Sequence, residues 1–406
     1  MSVLSGKNIL LGISGGIAAY KTAHLVRLFI KAGAHVRVVM TPASKDFITP
    51  LTLSTLSKNP VYSSFFNDDE QAEDNALWNN HVELGLWADL MLIAPATANT
   101  LSKMANGNCD NFLIACYLSA KCPVYFAPAM DLDMYKHPST LASFHALQQF
   151  GNVMIPAESG ELASGLSGEG RMAEPENILA FIEADISEKL PLRGKKIMIT
   201  AGPTYEAIDP VRFIGNHSSG KMGFDIAQCA ADLGAEVVLI SGPTHLKTNH
   251  SNIELIRVVS AQEMYEACHE HFSSSDVAIC AAAVADYRPK NVSDQKIKKN
   301  ASEFQIELEK TPDILASLGK IKGNQFLIGF ALETENEIEN AQLKIQKKNL
   351  DLIVLNSLRD AGSGFGTPTN QVTFIDAENK IEPKPLQTKE QVAMDIINKI
   401  LAHYDA

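Results

Sequence analysis

The chain has 406 residues, of which 46% are hydrophobic and 20% are charged. At roughly 150 residues per domain this predicts two or three globular domains and excludes a disordered or fibrous protein. The formal net charge of −12 disfavours nucleic acid and anionic lipid as partners and favours small molecules. No apolar run reaches the length of about 18 residues that spans a bilayer, and the start lacks a secretory signal. We therefore expect a cytoplasmic protein without membrane contact, whose six cysteines are reduced.

Short runs rich in Val and Ile, separated by helix-length segments, indicate the strands of a parallel sheet in the first half of the chain. The predicted strands are Asn8–Ile13, His35–Met40, Asp89–Ala94, Pro123–Ala127 and Asn152–Ile155.

The first strand is followed by GISGGIAAYK. Its Ser14, Gly15 and Gly16 would let backbone N–H groups approach a phosphate at a helix N-terminus. The segment does not spell G-x-G-x-x-G, which favours a mononucleotide over a dinucleotide. A purely structural glycine turn is the alternative.

Three further features of the first half attract attention. PATANT, residues 95–100, follows the third strand and is either part of a binding edge or a helix cap formed by Thr97 or Asn99. His81 precedes that strand and is either catalytic or structural. A loop with several glycines, Glu158–Met172, is predicted to be a lid, with an exposed surface loop as the alternative.

The second half repeats the plan of the first. Its predicted strands are Lys196–Thr200, Glu236–Ser241, Asp276–Ala281, Gln325–Gly329 and Leu352–Leu355. The second half carries about 13 extra residues after its first strand, at the edge where parallel sheets bind ligands. We predict an α/β protein of two tandem Rossmann-like domains with mainly parallel sheets, residues 1–190 and 191–406, the boundary following the helix predicted over Pro175–Leu190.

Several motifs in combination resemble a known family. GISGGIAAYK, the His of NHVELGLWAD, PATANT, PAM-x-x-x-MY and G-x-x-G-x-G-R-M resemble the flavin-containing cysteine decarboxylases. TAGPT, DPVR-x-I-x-NHSSGKMG, AAAVADYRP and KIKK resemble phosphopantothenate-cysteine ligase. In this order they are similar to the bifunctional proteins of bacterial coenzyme A biosynthesis, which implies a flavodoxin-like flavoprotein domain followed by a ligase domain.

For the first half, the resemblance implies FMN-dependent conversion of 4'-phospho-N-pantothenoylcysteine to 4'-phosphopantetheine. Oxidation of the cysteinyl thiol to a thioaldehyde lets CO2 leave, and the electrons are then returned. His81 matches the catalytic histidine. The positions that match the family's FMN contacts are Ser14, Gly15, Gly16, Thr41, Ser44, Thr97 and Asn99.

Two residues depart from the family pattern. Asp131 stands where an asparagine commonly holds the substrate carboxylate, and a second carboxylate about 4 Å away would cost on the order of 4 kcal/mol at an effective dielectric constant near 20. Ser164 stands where a cysteine commonly donates the last proton, and an alcohol is a far weaker acid than a thiol that ionises near about 8.5. By position Asp131 is expected to contact substrate, which requires that it be protonated or turned away from the substrate carboxylate, and Ser164 is a candidate acid in the lid.

For the second half, the resemblance implies that CTP, with Mg2+, activates 4'-phosphopantothenate as an acyl-cytidylate, which cysteine then captures. Asn216 matches the residue that holds this intermediate, Arg212 supplies a cation, and Ser218, Ser219 and Gly220 precede a helix N-terminus. A long polar surface loop is the alternative for this insertion. Lys296, followed by Lys298 and Lys299, matches a mobile lysine that acts on the triphosphate. Other expected contacts are Asp286, for the ribose or the metal-bound triphosphate, and Phe330, Lys344 and Lys348 for the nucleotide.

The family also suggests a homo-oligomer, with trimers through the flavin domain and dimers through the ligase domain combining into a dodecamer. Two rival hypotheses concern the first half. One is a flavin-binding regulatory domain that has lost decarboxylation, which the departures at Asp131 and Ser164 favour. The other is flavin prenyl transfer, which leaves the second half unexplained.

Overall fold

The computed structural model describes residues 2–66, 78–298, 305–333, 335–357 and 366–405. The chain divides into two compact units, Met1–Ser187 and Glu188–Ala406. Each unit is an α/β domain with its own buried core. The predicted fold class is thereby confirmed.

The first unit alternates strands and helices along the chain. Its strands are β1 Asn8–Ile13, β2 His35–Met40, β3 Val61–Tyr62, β4 Leu90–Ala96, β5 Val124–Pro128, β6 Val153–Met154, β7 Glu158–Glu161 and β8 Ser167–Arg171. Its helices are α1 Thr22–Lys31, α2 Pro50–Ser57, α3 His81–Trp87, α4 Ala98–Asn106, α5 Phe112–Ser119, α6 Leu132–Lys136, α7 Pro138–Gln149 and α8 Pro175–Glu188, and single 3-10 turns occupy Ile17–Lys21 and Pro42–Asp46.

The main sheet of the first unit is wholly parallel, with strand order β3-β2-β1-β4-β5-β6. This is the Rossmann order, and it differs from the 2-1-3-4-5 order of flavodoxin. Because side chains alternate across a strand, Ile9 and Leu11 enter one apolar core while Leu10 enters the core on the opposite face. Helices cover both faces, as buried parallel sheets require. The chain reverses its direction of winding between β1 and β4, which creates a crevice at their carboxyl ends.

The second unit has more strands. They are β9 Lys196–Ala201, β10 Tyr205–Ala207, β11 Phe213–Gly215, β12 Glu236–Ser241, β13 Ile253–Arg257, β14 Val277–Cys280, β15 Tyr287–Pro289, β16 Leu308–Lys310, β17 Phe326–Glu333, β18 Leu352–Ser357, β19 Thr369–Asn370, β20 Val372–Asp376, β21 Ile381–Pro383 and β22 Gln387–Thr388. Its helices are α9 Lys221–Asp232, α10 Ala261–Phe272, α11 Ile314–Ile321, α12 Glu337–Lys348 and α13 Lys389–Tyr404.

The main sheet of the second unit has the order β13-β12-β9-β14-β17-β18-β20-β21. Its first six strands are parallel and repeat the order of the first unit, with the reversal between β9 and β14. Strands β20 and β21 add to it in antiparallel fashion. The insertion after β9 forms the hairpin β10–β11, at the edge where the sequence predicts a ligand.

Two features differ from the expectations. The glycine-rich segment Glu158–Met172 is largely an antiparallel hairpin, β7–β8, rather than an irregular loop, and its role as a lid stays a prediction. Its glycines obscure the alternation of apolar and polar residues by which strands are recognised. Strands β20 and β21 were not predicted, because a short antiparallel strand added at a sheet edge leaves little pattern.

Within the described residues, no helix is long and apolar enough to cross a membrane. All six cysteines are free thiols. Burial raises the pKa of the Cys116 thiol to about 12 and that of the Cys229 thiol to about 11. Such thiols are structural rather than reactive.

Candidate functional sites

The crevice of the first unit lies where β1 and β4 end. The Ser14 hydroxyl donates to Pro95 O over 2.6 Å, and it accepts a hydrogen bond from Thr97 N over 3.1 Å. The loops that follow the two strands are thus joined by one buried hydroxyl. Ser14 therefore shapes the binding edge from beneath.

A cavity of about 540 Å³ opens at this edge and includes four of the predicted cofactor contacts, Gly15, Thr41, Thr97 and Asn99. The Thr41 hydroxyl is buried and makes no hydrogen bond. A Cβ atom on Gly15 would lie 2.8 Å from the Ala43 side chain, so the loop passes too closely for a larger residue. An orphaned hydroxyl beside a narrow glycine turn fits a polar ligand such as the expected FMN.

The alternative role for PATANT was helix capping. Thr97 occupies the N-cap position of α4, but its side chain makes no capping hydrogen bond. Ser44 is fully buried, and its hydroxyl donates to Thr41 O over 2.7 Å. Ser44 consequently supports the loop that carries Thr41.

A second cavity of about 570 Å³ is lined by Gly16 and also by Met130, which lines the first cavity as well. Its charged lining residues are Lys21, Asp131, Glu161 and Arg171. Both cations are already paired with Glu174: Lys21 Nζ lies 3.0 Å, and Arg171 Nη2 2.6 Å, from its Oε1. The hydrogen bond from Lys21 holds the pKa of the Glu174 carboxyl below its ordinary value.

Asp131 is the N-cap of α6, and one of its carboxylate oxygens accepts a hydrogen bond from Leu132 N over 2.6 Å. No cation pairs with Asp131 within the described part of the chain. Lys21 and Arg171 carry two positive charges against the one negative charge of Glu174, so that with Asp131 and Glu161 the five groups have a net charge of −1. Such a lining attracts a positively charged group of a ligand.

The hairpin β7–β8 closes this cavity on one side and is fixed at its base. Met130 N donates to Gly170 O over 3.0 Å. Gly170 has a φ of 136°, and a Cβ on it would lie 2.4 Å from Met130 O, so that glycine is required here. Ser164 lies exposed at the hairpin tip, where its hydroxyl accepts a 3.4 Å contact from Leu166 N.

His81 begins α3, which Asn80 caps. Its ring meets three aromatic rings edge to face, with centroid distances of 5.9 Å to Phe65, 5.7 Å to Trp78 and 6.5 Å to Phe112. The Nδ1 atom is buried and makes no hydrogen bond. Packing therefore orients the imidazole, and His81 is not among the residues described as lining either cavity.

In the second unit, Asn216 follows the hairpin β10–β11. Its amide Nδ2 donates to Ala283 O over 3.0 Å and to Val284 O over 3.2 Å. These carbonyls belong to the segment after β14 that carries the exposed Asp286. The structure thus brings Asn216 close to the segment of Asp286 at the point where the sheet reverses.

Arg212, which the sequence analysis predicts to be a substrate or nucleotide contact, forms an ion pair with Asp209 and is itself exposed. Its Nε lies 3.0 Å from Asp209 Oδ2, and its Nη2 also bonds that oxygen. The Asp209 side chain is fully buried, and the Arg212 guanidinium keeps the pKa of its carboxyl well below the ordinary value. Asp209 therefore fixes one edge of the Arg212 guanidinium, while the side chain as a whole remains exposed.

This ion pair fastens the lysine segment. Ile297 N donates to Asp209 Oδ2 over 3.1 Å, and Arg212 Nη2 donates to Ile297 O over 2.8 Å. Both backbone groups of Ile297 are thereby held, while the adjacent Lys296 and Lys298 are exposed. Lys299 lies outside the described residues.

We expect Asp209→Asn to loosen this segment, because the neutral amide cannot replace the charge that binds Arg212 and Ile297 N. Trypsin should cut after Lys296 or Lys298 roughly ten times faster in a limited digestion, since cleavage follows local opening. Cleavage rates are read by mass spectrometry of the fragments.

The matched control is Asp294→Asn, which removes an exposed carboxylate from the same segment and should leave cleavage unchanged. Equal cleavage of Asp209→Asn and the unmodified protein would show that the ion pair does not fasten the segment.

A further cavity of about 140 Å³ lies before the N-terminus of α9. Ser218, Ser219 and Gly220 line it, as does Phe330 of β17. Its lining also includes three residues that the sequence analysis did not single out, Asn356, Asn370 and Lys389. The predicted phosphate loop and Phe330 thus share one cavity.

Lys344 and Lys348 do lie on one face of α12, but each already has an acidic partner. Lys344 Nζ is 2.5 Å from a Glu333 carboxylate oxygen, and Lys348 Nζ is 3.0 Å from an Asp313 carboxylate oxygen. Neither is among the residues described as lining the small cavity.

Over the described ranges, the structure shows no group of three His, Cys, Asp or Glu side chains that could hold a metal. Mg2+ commonly takes few protein ligands and relies on substrate phosphates.

The sequence analysis did not single out Asp209, Asn356 or Asn370, and the sequence indicates the contacts of only the first. Asp209 stands three residues before Arg212, a spacing that allows a local ion pair. Asn370 and Asn356 come from β19 and β18, and nothing in the sequence indicates that these two amides meet.

The chain matches two protein families, one in each half. The family described as Flavoprotein matches residues 2–187, and the family described as DNA/pantothenate metabolism flavoprotein C-terminal domain matches residues 192–404. Together they cover nearly the whole chain, in the order that the motifs predict.

The chain is 44% identical over 402 residues to the coenzyme A biosynthesis bifunctional protein CoaBC of Bacillus subtilis (strain 168), covering 98% of each chain. It is 55% identical over 360 residues to a cysteine/cysteine sulfinic acid decarboxylase of an unknown prokaryotic organism, covering 87% of this chain and 99% of the relative. The crystal structure of the C-terminal domain of a coenzyme A biosynthesis bifunctional protein CoaBC is 45% identical, with a TM-score of 0.46, and covers 53% of this chain and 99% of its own.

Proposed function

Because this chain belongs to the family of coenzyme A biosynthesis bifunctional proteins, we propose that it ligates cysteine to 4'-phosphopantothenate and decarboxylates the product. The observation that carries the proposal is the presence, in one chain, of a crevice fitted to a flavin and of a second crevice with a phosphate loop. Each crevice lies at the point where the strand order of its sheet reverses, and this is the position at which such sheets bind ligands.

In the first unit, FMN would be held by Gly15, Thr41, Thr97 and Asn99, with Ser14 and Ser44 supporting these contacts. When bound, it would supply the reversible two-electron oxidation that makes the carboxylate a leaving group. The hairpin β7–β8 limits the access of water to the adjoining cavity, where the substrate binds beside Asp131. His81 moves a proton during decarboxylation.

In the second unit, an oxygen of the 4'-phosphopantothenate carboxylate attacks the α-phosphorus of CTP, and pyrophosphate leaves. The cysteine amine then attacks the acyl carbon: a C–N bond forms, the C–O bond to CMP breaks, and the amine loses a proton. Backbone N–H groups at the start of α9 bind phosphate. The ammonium group of Lys296 neutralises negative charge on the triphosphate of CTP and thereby assists the first step. Asn216 holds the acyl-cytidylate and is hydrogen-bonded to Ala283 and Val284. Asp286, which follows them in the same segment, contacts the ribose or the metal-bound triphosphate.

One assay tests both activities. Purified protein is incubated with 4'-phosphopantothenate, cysteine, CTP and Mg2+, while pyrophosphate, CO2 and 4'-phosphopantetheine are measured. We expect CTP-dependent pyrophosphate release followed by CO2. Pyrophosphate release without CO2 would contradict the decarboxylase assignment and favour the flavin-binding regulatory domain; CO2 release without any use of CTP would contradict the ligase assignment.

A second candidate function for the first unit is the decarboxylation of free cysteine. The cysteine/cysteine sulfinic acid decarboxylase at 55% identity favours it, and so does the unpaired Asp131. The α-ammonium of free cysteine is a cation, whereas the nitrogen of phosphopantothenoylcysteine is an uncharged amide. A carboxylate in the cavity therefore suits the free amino acid better.

We expect Asp131→Asn to reverse this preference. The amide oxygen can still cap α6, but the charge that attracts an ammonium is lost. The KM for free cysteine should rise roughly ten-fold or more, and kcat/KM for phosphopantothenoylcysteine should increase. Steady-state CO2 release with each substrate gives both values.

Glu161→Gln is the matched control, because it removes an exposed carboxylate of the same cavity; its effect should be small. If the unmodified protein releases CO2 from phosphopantothenoylcysteine alone, the second candidate function is wrong.

A further inference from the structure

The phosphate loop of the second unit, residues 218–220, is held by a threonine from a different loop. Thr244, in the loop that follows β12, donates its hydroxyl hydrogen to Ser219 O over 2.8 Å. The same hydroxyl accepts a hydrogen bond from Leu246 N over 3.2 Å. Its direction is therefore fixed, because its one hydrogen and one of its lone pairs are both engaged.

The loop that carries Thr244 is itself anchored, by Arg257 of β13. The Arg257 Nη2 atom donates to Leu246 O, and its Nη1 atom donates to Ser241 Oγ over 3.3 Å. The guanidinium carbon also lies 5.7 Å from the centre of the Phe224 ring on α9, a cation–π contact. Thr244 thus stands on a support that is tied both to the end of β12 and to α9.

The phosphate loop needs such support because of Gly220. This residue is the N-cap of α9 and has a φ of 81°, in the left-handed region that favours glycine. A Cβ atom on it would lie 3.3 Å from the Gly202 backbone. The lack of a side chain that permits this turn also lets the Ser219–Gly220 peptide rotate more freely. A contact from elsewhere is needed to hold the peptide in one orientation.

The hydrogen bond from Thr244 decides where the N–H group of this peptide points. In a trans peptide the C=O and the following N–H point in opposite directions, so the Gly220 N–H points away from Thr244. Ser218 and Gly220 line the cavity before α9, whereas Thr244 is not among the described residues that line it. Gly220 N makes a long hydrogen bond of 3.3 Å to Ser218 Oγ. A charged phosphate oxygen is a stronger acceptor than this hydroxyl.

We propose, on the basis of the ligase activity proposed above, that Thr244 is a positioning residue for the nucleotide. By fixing Ser219 O, it turns the Gly220 N–H towards the cavity, where this group donates to a phosphate oxygen of CTP. The donor is oriented before the nucleotide arrives, so that binding does not have to order the loop. Thr244 touches no phosphate itself and acts through the Ser219–Gly220 peptide.

The test separates the phosphates from the rest of the nucleotide. Thr244→Val keeps the branched shape of the side chain but removes the hydroxyl. The Kd for CTP with Mg2+, measured by titration calorimetry, should rise roughly five-fold, the change expected for the loss of one hydrogen bond. The inhibition constant of cytidine, which has the base and the ribose but no phosphate, should stay within about two-fold, as should the KM for cysteine. A general disturbance of the site would weaken cytidine as well.

Two matched variants complete the test. Thr244→Ser keeps the hydroxyl and should restore the Kd for CTP to within about two-fold of the normal value. Thr248→Val removes another hydroxyl of the same loop, one that accepts a hydrogen bond from His250 N over 3.3 Å, and should leave the Kd for CTP unchanged. Thr244→Ala is a second variant without the hydroxyl, and it should weaken CTP at least as much as Thr244→Val does.

Three outcomes would overturn the inference: an unchanged Kd for CTP in Thr244→Val, an equal loss of affinity for CTP and cytidine, or an equal loss in Thr244→Val and Thr244→Ser. The last would assign the effect to the shape of the side chain instead of its hydroxyl. Failure of the unmodified protein to release pyrophosphate from CTP would instead contradict the proposed ligase function, so the two failures are distinguishable.

Discussion

Replacing His81 with Asn should abolish CO2 release, with a fall of about 10³-fold, the size expected when a general acid or base is removed. The side-chain amide of asparagine resembles the Nδ1 side of the imidazole in shape, but it cannot exchange a proton. In this structure the imidazole is held by three aromatic rings and has an unbonded Nδ1. Such a group is fixed in position and free to transfer a proton. The measurement is CO2 release from phosphopantothenoylcysteine, or from free cysteine.

The control for His81→Asn is a measurement of bound flavin and of the melting temperature, which shows whether the variant still folds and holds its cofactor. Flavin content and melting temperature should stay normal in His81→Asn, since His81 is not described as part of the cofactor cavity. Ser164→Ala should release CO2 at nearly the normal rate but stop at the unsaturated enethiol. Full turnover of Ser164→Ala would remove the serine from the mechanism and direct attention to Asp131. Normal CO2 release by His81→Asn would remove the histidine.

The position of His81 has a consequence for assembly. The same face carries exposed Trp78, Val82 and Leu86, between 44% and 59% accessible. Exposed apolar residues in such a group are typical of a contact surface. We therefore expect a second copy of the chain to cover this face, in accord with the homo-oligomer that the family resemblance implies.

Asn216→Asp should reduce ligation roughly 100-fold or more, a loss typical of removing one oriented donor from a charged intermediate. The substitution places a carboxylate oxygen against Ala283 O and Val284 O, which now accept the Asn216 amide. It also adds negative charge beside an anionic acyl-cytidylate. Formation of phosphopantothenoylcysteine and pyrophosphate release are measured together, because the variant should either fail to accumulate the intermediate or fail to use it.

Asn252→Asp supplies the same change of charge at an exposed site of the same unit. Ligation should be unaffected there. Should Asn216→Asp ligate as well as this control, Asn216 has no part in the reaction.

The sequence predicted the central strands well because each is a short apolar run. For β1, β2 and β12 the predicted bounds agree with the structure. Hairpin β7–β8 and strands β20 and β21 were missed, because glycine and polar residues conceal their alternation.

Side-chain partnerships across the fold were the least predictable part. Arg212 stays a predicted nucleotide contact, but the sequence analysis did not show that it also pairs with the buried Asp209. Lys344 and Lys348 share a helix face as expected, yet each pairs with an acid from another element. A motif indicates which residue types are gathered but not which acidic side chain pairs with each cation, whether that acid lies three residues away, as Asp209 does, or in another element, as Glu333 and Asp313 do.

The anchoring of hairpin β7–β8 through Gly170 and Met130 has a consequence for the evolution of this domain. The base cannot vary without moving the loop that carries Asp131. The tip, residues 162–166, is exposed or half-buried and joins two strands by a turn, so that insertions and replacements are tolerated there. Selection can therefore exchange tips of different length and chemistry over a constant flavin crevice.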